Sequence, residues 1–362
     1  MMIKSEPDRK RSKDLGIDLK TIKLFEKIAK AVAPPPIMTV SQWADAERRL
    51  SAESSAEAGR WNTDRAPYQR EILDAVNNPE CEEVVIMSSA QVGKTELILN
   101  TIGYYIDYDP APILVVNPTI EMAQTFSKDR LAPMIRDTPA LRGKVRDAKS
   151  KNSGNTILHK QFPGGHITMA GANSPASLAS RPIRIALMDE IDRYPASAGT
   201  EGNPIKLAEK RTTTFWNRKK IKVSTPTIKG QSQIEAEFLT GSQEEWCVPC
   251  PCCGKYQPYE WGRIHFSDVT MECKFCGEHI PEVDWKQQKG KYIAQFPDRK
   301  RKRSFHLNEL ASPWKHWEEI IREFREAQKE LKENGDINKM KTWINTTLGE
   351  TWEERGKSAD DD

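Results

Sequence analysis

The sequence predicts an α/β fold: a mostly parallel sheet with helices on both faces, extended by a small cysteine-rich unit and a helical tail. Three observations carry that expectation. Short apolar runs at 84–87, 113–116, 167–171, 185–188 and 221–225 alternate with stretches of helical periodicity, the pattern of strands joined by crossover helices. The first run leads straight into Gly93-Lys94-Thr95, and the fourth ends in Asp189-Glu190. In an open parallel sheet, ligands bind beyond the carboxyl ends of the strands, where both of these groups fall.

Taken in order, residues 1–36 come first. Leu15, Leu19, Ile22, Phe25, Ile28 and Val32 recur at three- or four-residue steps, which predicts an amphipathic helix. Pro34-Pro35-Pro36 stops it and forms a stiff linker. So short a helix has no core of its own. Its apolar stripe needs a partner: the body of the same chain, a second protein, or DNA met through the basic face. A second helix is expected to start at Ser41 as N-cap. Residues 37–245 then form the alternating core.

The loop after the first strand reads Ser88-Ser89-Ala90-Gln91-Val92-Gly93-Lys94-Thr95. A loop that opens a helix can ring a phosphate with backbone N–H groups. Ser89, Gln91, Gly93, Lys94 and Thr95 are the expected nucleotide contacts, with Lys94 on the β- and γ-phosphates and Thr95 holding Mg²⁺. Asp189 is the second Mg²⁺ residue, and Glu190 polarises the attacking water. Together these predict ATP and Mg²⁺ as cofactors and ATP hydrolysis as the chemistry. Ser88 stands where the usual loop pattern has glycine. Ahead of the strand, Tyr68 could stack on adenine and the Gln69 amide could bond its N6/N7 edge; otherwise Tyr68 simply begins a helix. Ser224 and Thr225 end the last strand, where small hydroxyls can sense a γ-phosphate. At least two strands separate the loop strand from the acidic strand. This resembles the additional-strand, catalytic-glutamate class of P-loop ATPases, which includes helicases and translocases.

Seven cysteines, six of them between 247 and 276, argue for metal in a reducing compartment rather than disulfides. Cys250, Cys253, Cys273 and Cys276 give C-x₂-C-x₁₉-C-x₂-C, with glycine after each pair. That spacing predicts a zinc ribbon over 246–290 with a closed, structural Zn²⁺ site. Cys247 and Cys252 are spare. The ribbon is either a staple for a unit too small to hold a core or a surface for DNA or a partner. In 291–362, Arg299 to Arg303 are five consecutive cations. They either neutralise phosphates or form a solvated face. A helix follows from Trp314 to near Asn334.

Composition sets the outer bounds. Lys+Arg 55 against Asp+Glu 52 leaves a net charge of only +3, so bulk charge does not predict nucleic-acid binding. No apolar stretch approaches the length of a membrane span, and the charged N-terminus lacks the apolar core of a secretory leader.

The runs RWNTDRAPYQREILDAV, SSAQVGKTE, VVNPTIEMAQTFSKDRLAPMI, GANSPASLASRPIRIALMDEIDRYP and VSTPTIKGQS resemble the large subunit of phage terminases, in the lambda-type branch. CPCCGKYQPYEW, CKFCGEHI, SFHLNELASPW and TTLGETWEE continue the resemblance, which spans roughly residues 38–355. It implies an ATPase that drives double-stranded DNA into a procapsid. The implied partners are a small subunit and a portal protein, on which the chain works as a homo-oligomeric ring. The implied location is the host cytoplasm and, transiently, the viral procapsid, with no membrane. Lys94 and Thr95 become the phosphate-loop pair, Asp189 and Glu190 the metal and catalytic carboxylates, and Ser224-Thr225-Pro226 the coupling motif. Many terminases carry an arginine within the phosphate loop, where this chain has Ala90 and Gln91. Arg142, Arg181 and Arg184 are therefore the candidates for an arginine finger. The family also carries an RNase H-type nuclease built on clustered carboxylates. That part is expected to be absent from this chain, which would then not cut DNA. Two other readings stay open: a helicase-like DNA translocase, and a non-hydrolysing module that docks DNA or the portal.

Overall fold

The computed structural model describes residues 38–53, 55–145, 155–178 and 181–354, with Asp18, Lys20, Thr21, Leu24 and Phe25 near the start. The helix expected across 15–32 lies almost entirely outside the described residues. The chain divides into two units, Met1–Met38 and Thr39–Asp362, and the sheet belongs to the second.

Helix α1 (Val40–Glu47) is capped by Thr39 rather than Ser41. The Thr39 hydroxyl accepts from Gln42 N–H, and the Gln42 side chain accepts from Thr39 N–H. That reciprocal pair satisfies two end donors at once. Ser41 sits inside the helix and donates to Asp74 at 2.6 Å. Strands β1 (Arg49–Leu50) and β2 (Gly59–Arg60) form a small antiparallel pair, and α2 (Tyr68–Asn77) follows. Next come β3 (Glu83–Ser88), α3 (Lys94–Asp107), β4 (Pro112–Asn117), β5 (His159–Phe162), β6 (Gly165–Gly171), β7 (Ile185–Asp189) and β8 (Lys219–Ser224). Helix α4 (Gln233–Leu239) leads into β9 (Glu244–Pro249), β10 (Tyr256–Pro258), β11 (Ile264–His265), β12 (Thr270–Glu272), β13 (His279–Pro281), β14 (Lys291–Ala294) and β15 (Lys302–Leu307). Helices α5 (Trp317–Asn334) and α6 (Asn338–Trp343) close the described chain.

Ten strands make one sheet in the order β10-β9-β15-β3-β8-β7-β4-β6-β5, with β14 also on β9. From β9 to β6 every pairing is parallel, and the outer strands β5, β10 and β14 are antiparallel. All five strands expected from the apolar runs are present. In chain order three strands separate β3 from β7; in space the single strand β8 does. The central strands are buried on both faces, as parallel strands between helical layers must be. Val84 and Ile86 face one core while Val85 and Met87 face the other.

The tail and the ribbon are built into this sheet. β9 carries Cys247 and pairs with β15, and β15 lies directly against β3. The expected boundary at 245–246 therefore falls inside a strand. The Arg299–Arg303 run is tied to the protein at each residue. Arg299 donates to the Leu239 and Gly241 carbonyls. Lys300 pairs with Glu80, Arg301 with Glu82, Lys302 with Glu237, and Arg303 with Glu244. Four of its five cations meet carboxylates of the same fold, while Lys300 and Arg301 stay largely exposed.

One centre of that network is Lys222, whose ammonium is fully buried. It meets Glu83 at 3.1 Å, Glu209 at 2.5 Å and Glu237 at 2.8 Å. Burial would raise the Glu237 carboxyl, but Lys222 and Lys302 outweigh it and hold the group at about 2. Because the folded value lies below the ordinary 4.5, this contribution is complete above pH 4.5 and is lost as pH falls toward 2. The thermal midpoint should therefore drop steeply over that interval. Lys222→Met leaves three neighbouring carboxylates without their buried counter-ion. It should cost about 3–5 kcal/mol in denaturant titrations at pH 7 and flatten the acid dependence.

Candidate functional site

Strand β3 ends at Ser88, and six residues later α3 begins with Lys94. Gly93 is the N-cap, so the first turn of α3 presents free N–H groups and the positive end of the helix dipole. The loop is held from three directions. Ser89 N–H donates to Leu307 O at 2.9 Å, and Ala90 N–H to Thr346 O at 2.7 Å. Gln69, fully buried, donates from Nε2 to Val92 O at 3.1 Å. Gly349 takes φ +65° against the loop; a Cβ there would sit 2.6 Å from Ser89 N. Gln91 is left-handed at φ 57°, as is Glu190 at φ 54°. Such backbone strain in non-glycine residues gathers where a site demands it.

Lys94 reaches across to the other two candidate motifs. Its Nζ lies 3.3 Å from Glu190 Oε1 and also donates to the Thr225 hydroxyl. Both side chains of the ion pair are largely buried. Asp189 ends β7 beside them. Burial, with the adjacent Glu190 charge, pushes its carboxyl up to about 7 against the pull of Lys94. A cation at Asp189 would favour the carboxylate form. The donors expected for Mg²⁺, the Thr95 hydroxyl and the Asp189 carboxylate, are hard oxygens that suit it. Ser89 Oγ and Gln69 Oε1 are buried polar atoms without a protein partner, and orphaned groups of this kind beside the loop fit a polar ligand.

Two residues missed in the sequence complete the site. Asp192 accepts from Ile234 N–H at 2.7 Å and Thr227 Oγ at 2.9 Å, while its own N–H donates to Ser224 Oγ at 3.2 Å. It ties the turn after Glu190 to the segment after β8. Arg193 places Nε 3.9 Å from Glu190 Oε2 and is two-thirds exposed. Its position three residues after Glu190, on the same turn, was the available signal.

Other expected residues stand elsewhere. Tyr68 is 1 % exposed, with its ring edge-on to Trp246 at 6.2 Å. It has no open face for a base, so the adenine-stacking expectation is corrected: Tyr68 is a core residue. Gln69 donates one amide N–H to the loop at Val92 O, and its Oε1 has no protein partner. Arg184 makes a two-pronged pair with Asp109 ahead of β7, at the opposite end of that strand from Asp189. Arg181 lies against His159, and Arg142 donates to Arg136 O. None of the three reaches Lys94 or Glu190 within its own chain.

The four ribbon cysteines converge. Their sulfurs all lie within 4.8 Å of one another, with Cys250–Cys276 and Cys253–Cys273 each at 3.8 Å. Cys253 N–H points at Cys250 Sγ and Phe275 N–H at Cys273 Sγ, at 3.5 and 3.4 Å. Gly254 and Gly277, at φ 71° and 72°, close the two turns. Burial would raise the Cys273 thiol, yet N–H groups of Cys276 and Phe275 bring it down to about 7. Four convergent sulfurs with N–H donors to thiolate suit Zn²⁺ and leave it no open position. Cys247, buried in β9, and Cys252, exposed, stand outside the cluster.

With this geometry in place, the family follows from comparison. The model of the phage terminase large subunit gpA ATPase domain matches residues 55–292. The chain belongs to the gpA family of phage terminase large subunits. The large terminase subunit of Enterobacteria phage P21 is 30% identical over 89% of this chain and 54% of its own length. That of Escherichia phage lambda is 29% identical over 88% and 53%. The chain thus spans about half the length of these relatives. The large terminase ATPase domain of Thermus phage P74-26 aligns at 15% identity with a TM-score of 0.43, over 83% of this chain and 99% of that one. The gpA endonuclease-domain model matches residues 302–362. That questions the expectation of an absent nuclease part: a fragment matching that family part is present, and its strand β15 is built into the sheet beside β3.

Gly349→Ala should force the left-handed turn and the loop apart. A cost of about 1–2 kcal/mol is expected from the backbone alone, together with a several-fold rise in KM for ATP, read by equilibrium unfolding and steady-state turnover. Cys253→Ser should lose the thiolate-held metal in elemental analysis and open 250–290 to proteolysis, leaving β3 and the loop protected in hydrogen exchange.

Proposed function

We propose that this terminase chain is the ATP-hydrolysing motor part of a viral DNA-packaging machine, moving double-stranded DNA into a procapsid. Family membership supports the setting, and the placement of Lys94 between Glu190 and Thr225 carries the mechanism. Anything that draws the ammonium into the loop breaks both contacts together. Bound ATP with Mg²⁺ supplies the electrophilic γ-phosphorus and the anionic charge that attracts Lys94. Thr95 and Asp189 would hold the ion, and the N-terminus of α3 would face the phosphates with Ser89, Gln91 and Gly93 around them. Glu190, released from Lys94, orients the water and takes its proton. Thr225, released at the same moment, passes the change to Ser224, to Asp192 and to the turn leading into α4. Arg193 stabilises charge from within the chain, and any arginine supplied by a neighbour in a portal-docked ring adds to it. The proposed partners are duplex DNA, a terminase small subunit and a portal protein, met in the host cytoplasm and on the procapsid. The four cysteines hold Zn²⁺ as a structural staple.

Measuring ATP turnover of wild type, Lys94→Ala and Glu190→Gln, with DNA and portal present, tests this directly. Each variant should lose at least about 100-fold, the scale of removing one group that stabilises transition-state charge. Equal turnover by all three proteins rules out the site. Thr225→Val should retain hydrolysis and lose translocation. Movement along intact duplex without strand separation is the expected motor behaviour. Strand separation would favour a helicase-like translocase, and DNA or portal binding with no turnover a docking module.

A further inference from the structure

Beyond the four cysteines, the ribbon carries a second cluster of metal-binding side chains. The three strands β11, β12 and β13 form their own antiparallel sheet, with His265 opposite Thr270 and Glu272 opposite His279. Side chains alternate along a strand and paired residues share a face, so His265, Thr270, Glu272 and His279 project from one side. One ligand atom from each of His265, Glu272 and His279 lies within 4.8 Å of the others. His265 Nε2 is 3.7 Å from Glu272 Oε2, and the two imidazole centroids are 3.9 Å apart. Ligands about 2.0–2.2 Å from a common ion stand at comparable separations, so little movement closes the set.

A second observation concerns how one ligand is prepared. Thr270 Oγ donates to Asp268 Oδ1 at 3.0 Å and lies 3.4 Å from His279 Nδ1. A hydroxyl whose proton points at Asp268 accepts from Nδ1–H. That leaves Nε2 of His279 with its lone pair free. An acceptor behind the second ring nitrogen is the usual support of a metal-bound histidine, and here a hydroxyl held by a carboxylate stands in that place.

We propose that His265, Glu272 and His279 form a second metal site, an exchangeable centre of two imidazoles and one carboxylate for a zinc-class divalent ion. Imidazole ligands select zinc, nickel, cobalt or copper over magnesium and calcium. All three side chains are partly open to solvent, so ions exchange and coordination positions remain for water or an outside ligand. The ion would pin the three strands of a sheet that is otherwise very short. The site contains no sulfur, which separates it chemically from the cysteine cluster, and it does not depend on the proposed motor function.

The test uses the full chain with its cysteine-bound zinc in place. After removal of loosely held metal, Zn²⁺ is titrated against a chromophoric chelator, and Co²⁺ spectra are recorded in parallel. Wild type should take up one further equivalent whose Co²⁺ spectrum lacks thiolate charge-transfer intensity. His265→Ala and Glu272→Ala should each lose that equivalent while keeping the cysteine-bound one, which reports a folded ribbon. Because they remove ligands from different strands, misfolding of one leaves the other informative. Thr270→Val should weaken uptake by at least about tenfold, an effect that a purely packing role for Thr270 would not produce. The proposal is overturned if wild type binds no further equivalent, or if the additional equivalent persists with unchanged affinity in both ligand variants.

Discussion

Strand β3 is hydrogen-bonded along both edges, to β8 on one side and β15 on the other, and the rest of the site depends on that double pairing. A loop whose N–H groups are to hold the proposed nucleotide cannot also satisfy itself internally. Its anchor has to come from neighbours. On the β8 edge, Met87 lies opposite Ser224, which brings Thr225 within reach of Lys94. On the β15 edge, Ser88 lies opposite Leu307, whose carbonyl receives Ser89 N–H. One edge thus supplies the group able to respond to the loop's occupant, and the other supplies the brace. Both are parallel strands whose connections come from far along the chain.

Charge explains how β15 can sit so deep in the sheet. It enters through the most basic stretch of the sequence, which would be expensive to bury alone. The entrance to β3 is correspondingly acidic: Glu80, Glu82 and Glu83 meet Lys300, Arg301 and Lys302. The exposed pairs of Lys300 and Arg301 contribute little, whereas Lys302 and Arg303 form partly buried pairs with Glu237 and Glu244 that a shifted register would break. Charge therefore selects the position of β15, and apolar contacts of Phe305 and Leu307 with the core stabilise it there.

Much of this was legible in the sequence because the signals are local. Apolar runs named five strands, Gly93-Lys94-Thr95 and Asp189-Glu190 named two ends of one site, and two CxxCG turns named four sulfurs. The N-cap of α1 was legible too: Thr39 has Gln42 three residues on, whereas the chosen Ser41 has no such partner. What the sequence withheld is non-local. Nothing in Lys302–Leu307 announces that its neighbour is β3, about 220 residues earlier. Tyr68 reads as a base-stacking ring until Trp246, from a strand of the supposed separate ribbon, is found against it. The RKRKR run looks free because its carboxylates are scattered from Glu80 to Glu244. His265, Glu272 and His279 acquire meaning only from strand register, which spacing alone does not supply.

Gly349 illustrates what such long-range bracing entails for heredity. Its lack of a side chain leaves room for the backbone of Ser88 and Ser89, so the path of the loop and a distant position of the chain are constrained together. A gene spliced from two parental phages, joined between the codons of Thr225 and Gly349, would combine a loop shaped by one ancestor with a brace shaped by another. The hybrid's loop would lose its fitted brace although every residue from Ser88 to Thr225 came intact from a single parent.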